Sequence, residues 1–194
     1  MSKKIDICEN DLDTLALFSN GFDREFHIRE ICSYLPISHG TSQTILSRLE
    51  EKQVLVSSHR GKTRIFRIKN GEIAIQYFIL AEHFKKIRFL EQNPYVAEIL
   101  NKIYAYVDGI MLLFGSYANG TESKGSDIDI FIAGTCNEKE IAQIGRIYDM
   151  EINLKHYPSP AFTPPGRQDP LLIEIRKNHI VWKNAEPFVR EVLA

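Results

Sequence analysis

Two carboxylates one residue apart, Asp127 and Asp129, have the type and spacing to do chemistry. They open the segment Asp127-Ile128-Asp129-Ile130-Phe131-Ile132, whose polar–apolar alternation predicts a half-buried strand. Alternation puts both acids on one face and Ile128, Ile130 and Ile132 on the other. Acids held side by side repel, and a shared divalent cation offsets that cost. Hard oxygen ligands suit magnesium, which takes one or two protein carboxylates together with substrate phosphates. Upstream, Gly115-Ser116 follows the apolar run 110–114 and predicts the mouth of a short helix. There, backbone N–H groups and the Ser116 hydroxyl can meet phosphate oxygens, and Gly115 presents no side chain to obstruct them.

Such a pair, if it is to bridge two ions, needs a third acid. Residues 149–157 form a second alternating stretch, with Met150, Ile152 and Leu154 on one face and Glu151, Asn153 and Lys155 on the other. A helix over residues 137–147 lies between the two stretches.

The pattern Gly115-Ser116-x-Ala118-x-Gly120, five residues, then Ser126-Asp127-Ile128-Asp129 resembles the signature of the polymerase-β-like nucleotidyltransferase superfamily in its minimal form. The resemblance implies metal-dependent transfer of a nucleoside monophosphate, AMP from ATP in the first instance, onto a protein or small-molecule hydroxyl, with release of pyrophosphate. It implies two magnesium ions and a third acid on the strand beside the Asp-x-Asp strand. Glu151 is carried to that position first and Asp149 second, although Asp is commoner there than Glu. Gly115 and Ser116 are expected to hold phosphates. Lys124 is expected to neutralise phosphate charge, and Ser126 to fix the strand entry beside the nucleotide. Minimal members of the superfamily often belong to toxin–antitoxin pairs, where AMP is added to a toxin built of HEPN-type helices. The alternative is a transcriptional regulator whose nucleotidyltransferase-like domain only binds nucleotide; a dimerising scaffold is a third reading.

The first seventy residues carry a different pattern. Asn10 or Asp11 caps a helix bearing Leu12, Leu15 and Phe18; a second helix spans 27–35, stopped by Pro36. Ser38 or Thr41 opens a third, running to about Gln53 with Ile45, Leu46 and Leu49 on its buried stripe. Strand-like pieces at 54–57 and 63–68 flank a turn with Gly61 at its tip. This order resembles a winged helix-turn-helix of prokaryotic transcriptional regulators, with Gln53 standing where that family often has Gly. Thr41, Gln43, Thr44, Ser47 and Arg48 are then expected to face a DNA major groove, and Arg60, Lys62 and Arg64 the phosphate backbone.

Between these parts, residues 72–91 predict one amphipathic helix with Ile73, Tyr77, Leu80, Phe84, Ile87 and Leu90 on a face, suited to core packing or a homodimer. Asn93-Pro94 breaks it, and a further helix spans 96–107. Beyond the catalytic stretches, Pro158, Pro160, Pro164 and Pro165 mark an extended loop. A helix capped by Asp169, a strand at 180–183 and a helix at 187–193 follow. Tyr157, Phe162 and Trp182 are core residues with a lesser expectation of base stacking, and Arg167 and Arg176 are weaker phosphate candidates.

The expected class is therefore α+β: a winged helix-turn-helix over 1–70, a helical connector over 71–108, and a nucleotidyltransferase domain over 109–194 with a mixed sheet and flanking helices. A net charge of −1 means that affinity for nucleic acid must come from a local patch. Cys8, Cys32 and Cys136 are odd in number and without Cys-x-x-Cys spacing, which argues for reduced thiols and a cytoplasmic protein. No signal peptide is read at residues 1–4, and no apolar run is long enough for a bilayer.

Overall fold

The computed structural model describes residues 6–163 and 166–194, apart from the side chain of Arg167. Residues 1–4, Pro164 and Pro165 of the sequence reading lie outside the described residues, as does the Arg167 side chain. The chain divides into two compact units, Met1–Ala81 and Glu82–Ala194.

In the first unit, helices α1 (Glu9–Ser19), α2 (Ile28–Tyr34) and α3 (His39–Glu51) accompany strands β1 (Phe26–His27), β2 (Leu55–Arg60) and β3 (Thr63–Ile68). The strands form an antiparallel sheet in the order β1-β3-β2. Capping sets the helix starts. Ser38 accepts from the Thr41 N–H at 3.1 Å, and the His27 ring from the Glu30 N–H at 3.1 Å. The first helix departs from expectation. Its cap is Cys8, and Asp11 sits one turn in, its carboxylate accepting from the Cys8 N–H at 2.9 Å.

The end of α3 explains the residue at 53. The Val54 N–H donates to the Leu49 carbonyl and the Gln53 N–H to the Glu50 carbonyl, both at 2.9 Å. This is a Schellman closure, with Gln53 in the left-handed conformation at φ 65°. A side chain there costs about 1 kcal/mol relative to glycine. Gln53→Gly is therefore expected to raise the stability of this unit by up to about 1 kcal/mol, less the Gln53 contacts to Lys69 and the Glu50 carbonyl. A fall in the urea midpoint would contradict it.

Helix α4 (Glu72–Gln92) crosses the division between the units. Its buried residues are Ala74, Phe78, Ala81, Glu82 and Phe89. The stripe read from periodicity lies outward instead: Ile73, Leu80 and Ile87 are 51%, 43% and 53% exposed, with Tyr77 and Phe84 half-buried. Small Ala side chains and Phe rings, not the aliphatic stripe, make the packed face.

The second unit contains α5 (Pro94–Ile103), β4 (Val107–Phe114), α6 (Gly115–Asn119), β5 (Ile128–Cys136), α7 (Glu138–Ile147), β6 (Ile152–Tyr157), α8 (Pro170–Lys177), β7 (Ile180–Lys183) and α9 (Ala185–Leu193). Its mixed sheet runs β6-β5-β4-β7, with β5 and β6 parallel and the other neighbours antiparallel. The α7 crossover permits the parallel pair. Pro94 does not only break α4; it occupies the first turn of α5, where its missing N–H costs nothing. Hence α5 starts and ends earlier than the pattern suggests, and Val107 already belongs to β4.

One face of the sheet packs Met111, Leu113, Ile128, Ile130 and Ile132 against Val96, Ile99, Leu100, Ile103 and Ile141. The other is not open, as half-burial would have it. Phe131 meets Phe162 (centroids 5.5 Å apart), and Phe162 meets Phe188 of α9 (5.0 Å). The C-terminal tail thus covers the second face, leaving only the start of β5 for the acids. Phe162 and Trp182 are buried core residues.

A charged cluster is buried in this unit. Glu82 lies 2.9 Å from the Lys85 ammonium and 3.3 Å from His179 Nε2, and both Glu82 and His179 are sealed from solvent. Burial pushes the Glu82 carboxyl up, but the charges and hydrogen bonds of Lys85 and His179 prevail and hold it down at about 2. Burial, then the Lys85 charge, drives His179 down, so it is neutral at pH 7. Burial lowers Lys85 as well, against the Glu82 charge and hydrogen bond that raise it. The sign follows directly. For Glu82 and His179 alike the unfolded chain takes up the proton first. Stability is therefore full above the unfolded values of 6.5 and 4.5. It falls with pH below 6.5, and again between 4.5 and about 2. Each proton contributes up to about 1.4 kcal/mol per pH unit within its window. Denaturant midpoints at pH 7.5, 5.5 and 4 should decrease in that order; a flat series would contradict the assignment.

Candidate active site

The acids stand where β5 begins. Asp127 precedes the strand and Asp129 lies within it, both half-buried, while Ile128 and Ile130 are sealed into the core. The alternation thus places the acids on one face. In the parallel register Asp129 faces Asn153 of β6. The Asn153 amide donates to Asp127 Oδ2 at 3.2 Å and to Asp129 Oδ1 at 3.3 Å, so one side chain joins both carboxylates. Burial raises the Asp129 carboxyl above its ordinary value. The Asn153 hydrogen bond opposes this, the Asp127 charge adds to it, and Lys155 and Glu174 exert smaller opposing charge effects.

Gly115 opens α6 directly against this pair. Its φ is +70°, and a β-carbon there would lie 2.0 Å from Asp129 Oδ2. Only glycine allows the turn and the carboxylate to share that space. Ser116 is half-buried beside it, its carbonyl accepting from the Thr121 N–H at 3.0 Å. In the intervening loop the Ser126 hydroxyl accepts from the Ser123 N–H at 2.8 Å, bracing the entry to β5, and Lys124 is exposed.

Glu151 is placed differently from the strand position read for it. It precedes β6 and is exposed, its carbonyl accepting from the Ile128 N–H at 2.9 Å. Asp149 sits in the turn before it with a left-handed φ of 50°. Both line an open cleft of about 540 Å³ that also takes in Ser126, Asp127 and Arg146. Glu151 therefore joins Asp127 at the cleft, while the group touching both strand acids is Asn153. Sequence reasoning put Asn153 on the correct face and passed over it in favour of a carboxylate. Arg146, in the last turn of α7, was missed; its signal was a cation two residues after Ile144 of the apolar α7 stripe.

The donor set can be tested against magnesium. Two carboxylates converging on one polar point fit a single hard cation, which magnesium-binding sites commonly hold with one or two carboxylates. A second ion finds a neutral amide at the facing position, so the described residues fit two ions less well than one.

Residues 94–182 match the family model described as nucleotidyltransferase domain. The match covers α5 through β7, including the Gly115 turn, both acids and Asn153. This nucleotidyltransferase domain forms the mixed-sheet part of an α+β chain. No curated protein matches the chain. Among solved structures, a crystal structure of AF1382 from Archaeoglobus fulgidus is similar at 20% identity, over 45% of this chain and 92% of its own, with a TM-score of 0.37. The structure of TrmBL2, described as an archaeal chromatin protein with a novel mode of DNA binding, is similar at 15% identity over 79% of this chain and 64% of its own, with a TM-score of 0.29. At those scores neither likeness bears on function.

The residues expected to meet DNA lie in the other unit. Gln43 and Thr44 are exposed on α3, Thr41 and Ser47 half-buried. Thr44 donates to the Gly40 carbonyl at 3.0 Å, and the Thr41 hydroxyl lies 2.8 Å from that of Ser38. Arg48 is paired with the buried Asp11, and Arg64 with Glu50 and the Ser57 hydroxyl. Arg60 pairs with Glu25 at 2.8 Å but is 76% exposed, a contact of little net worth that a phosphate can replace. Lys62 is exposed at the turn. Among the described helices none is long and apolar enough to cross a membrane.

Proposed function

We propose that the nucleotidyltransferase domain binds a nucleoside triphosphate, ATP in the first instance, with magnesium, and transfers the nucleoside monophosphate to an acceptor hydroxyl. The observation that supports this most is the packing of the Gly115 turn on Asp129, where a β-carbon would have no room. It puts a side-chain-free turn against the carboxylate pair, as joint handling of phosphate and cation requires. Asp127 and Asp129 hold the magnesium, which when bound neutralises phosphate charge. Gly115 and Ser116 hold the outer phosphates, and Lys124 adds charge from the loop. Glu151, at the cleft with Asp127, is the carboxylate available to take the acceptor's proton, with Asp149 as the second candidate. The acceptor oxygen bonds to the α-phosphorus, the bond to the bridging oxygen breaks, and pyrophosphate leaves. Purified chain with magnesium and α-labelled ATP, with and without a lysate as acceptor source, tests this; label that never leaves the nucleotide overturns it.

A second reading is favoured by Asn153, a neutral amide and not an acid, as the side chain that joins both strand carboxylates. In it the domain binds nucleotide, turns over little, and regulates the first unit. Operator binding that changes with nucleotide, in the absence of transfer, would select it.

For the first unit we propose a winged helix-turn-helix that binds duplex DNA. Three helices followed by a hairpin that pairs with the short β1 support this reading. Gln43, Thr44 and Ser47 face the bases, and Lys62 and Arg60 the backbone. Binding should weaken steeply with salt; salt-independent retention would argue against it. The outward stripe Ile73–Leu80–Ile87 of α4 suits a homodimer in the cytoplasm, which sedimentation would read as a doubled mass. A toxin of HEPN-type helices is the first acceptor to try, with label appearing on that partner as the expected result.

A further inference from the structure

At the opposite end of β5 from the acids, three different metal-ligating side chains meet. Cys136 closes the strand, Glu138 opens α7, and His156 lies on β6. One ligand atom from each lies within 4.8 Å of the others. Asp129 and Cys136 are seven residues apart on one strand, about 23 Å at strand rise, so this cluster is distinct from the nucleotide site.

The histidine geometry is informative. His156 Nε2 lies 2.7 Å from the Gly134 carbonyl oxygen. A carbonyl only accepts, so Nε2 carries the hydrogen, and in the neutral ring Nδ1 then presents a lone pair. That lone pair faces Glu138 Oε1 at 3.7 Å. Two acceptors set against each other need a cation or a proton between them. An imidazole whose outer N–H is pinned to a backbone carbonyl, with its inner nitrogen turned towards a carboxylate and a thiol, is the arrangement in which histidine serves as a metal ligand. Cys136 and Glu138 also line an open cleft of about 780 Å³, which leaves a side of the cluster accessible for a fourth ligand.

We propose that Cys136, Glu138 and His156 bind a borderline divalent cation of the zinc class, with the fourth position open to water. Sulfur, nitrogen and oxygen donors together suit zinc and exclude magnesium, which prefers oxygen alone. One thiolate and one carboxylate balance the charge of one such ion. Binding releases the thiol proton to solvent as the metal–sulfur bond forms.

Titration of the metal-free full-length chain with cobalt(II) at neutral pH tests this. The expected result is a thiolate charge-transfer absorption that saturates at one equivalent and is abolished by zinc. Cys136→Ser should lose that absorption although Cys8 and Cys32 remain. Glu138→Gln, an exposed change at the start of α7 that keeps the thiol, should weaken zinc at least tenfold in competition with a chromophoric chelator. No charge-transfer absorption at one equivalent would overturn the proposal. So would an absorption that survives in Cys136→Ser, or an unchanged zinc affinity in Glu138→Gln; the last leaves His156 and Glu138 as an ion pair of a protonated ring.

Discussion

Asp129→Asn is expected to reduce nucleotidyl transfer on the order of a thousandfold while leaving the unliganded domain as stable as before, or more so. The two effects have one origin. Burial and the neighbouring Asp127 both resist charge on Asp129, so the folded chain is strained by carrying it there. An amide of the same shape removes the repulsion and still accepts from Asn153, which now holds one carboxylate instead of two. Cation binding loses one of two anionic ligands, and with it several kcal/mol of charge stabilisation for the transfer step. Asp127→Asn should act in the same direction, since it shares both Asn153 and the cation. Label transfer and thermal midpoint measured together decide the matter. A variant that loses activity and melts early has merely misfolded, and one that keeps full transfer refutes the placement of the cation on this pair.

The reverse experiment adds charge. Asn153→Asp replaces the amide that bridges the pair with a third carboxylate at the same register position. Without divalent cation the domain should lose about 2 kcal/mol or more, because two hydrogen bonds to charged groups disappear and three acids crowd together. Magnesium should restore that loss, so the metal-induced rise in thermal midpoint becomes larger than in the parent chain. Transfer should increase on the order of a hundredfold, the scale of a positioned proton acceptor or an added metal anchor. A variant that gains magnesium response without gaining transfer would point to the nucleotide-sensing reading. One that loses both would show that Asn153 is itself required for the nucleotide to bind.

These two positions show where sequence reasoning succeeds and where it stops. Period-two alternation is a local property, so Asp127 and Asp129 were legible as a pair and Asn153 as a residue of the matching face. Which polar residue on that face lies opposite Asp129 depends on register, and register depends on the turn at Asp149, whose left-handed backbone delays β6 until Ile152. The same limit applies to α4. Spacing identifies Ile73, Leu80 and Ile87 as sharing a face, but packing chose the face bearing Ala74, Phe78 and Ala81. The buried pairing of Glu82 with His179, residues 97 apart in the chain, left no local trace at all. By contrast Gln53 was singled out only as a departure from the Gly that the resembling family often has, and its left-handed backbone at the end of α3 gives the physical reason.

If the domain binds a triphosphate as proposed, Gly115 carries a consequence for which one it takes. A saturation library at that position should return glycine alone, since every other residue begins with the atom that strikes Asp129. Contact made through bare main chain is blind to the identity of the base, because phosphates are common to all four triphosphates. On that reading, preference among adenine, guanine, cytosine and uracil has to be encoded by side chains beyond this turn.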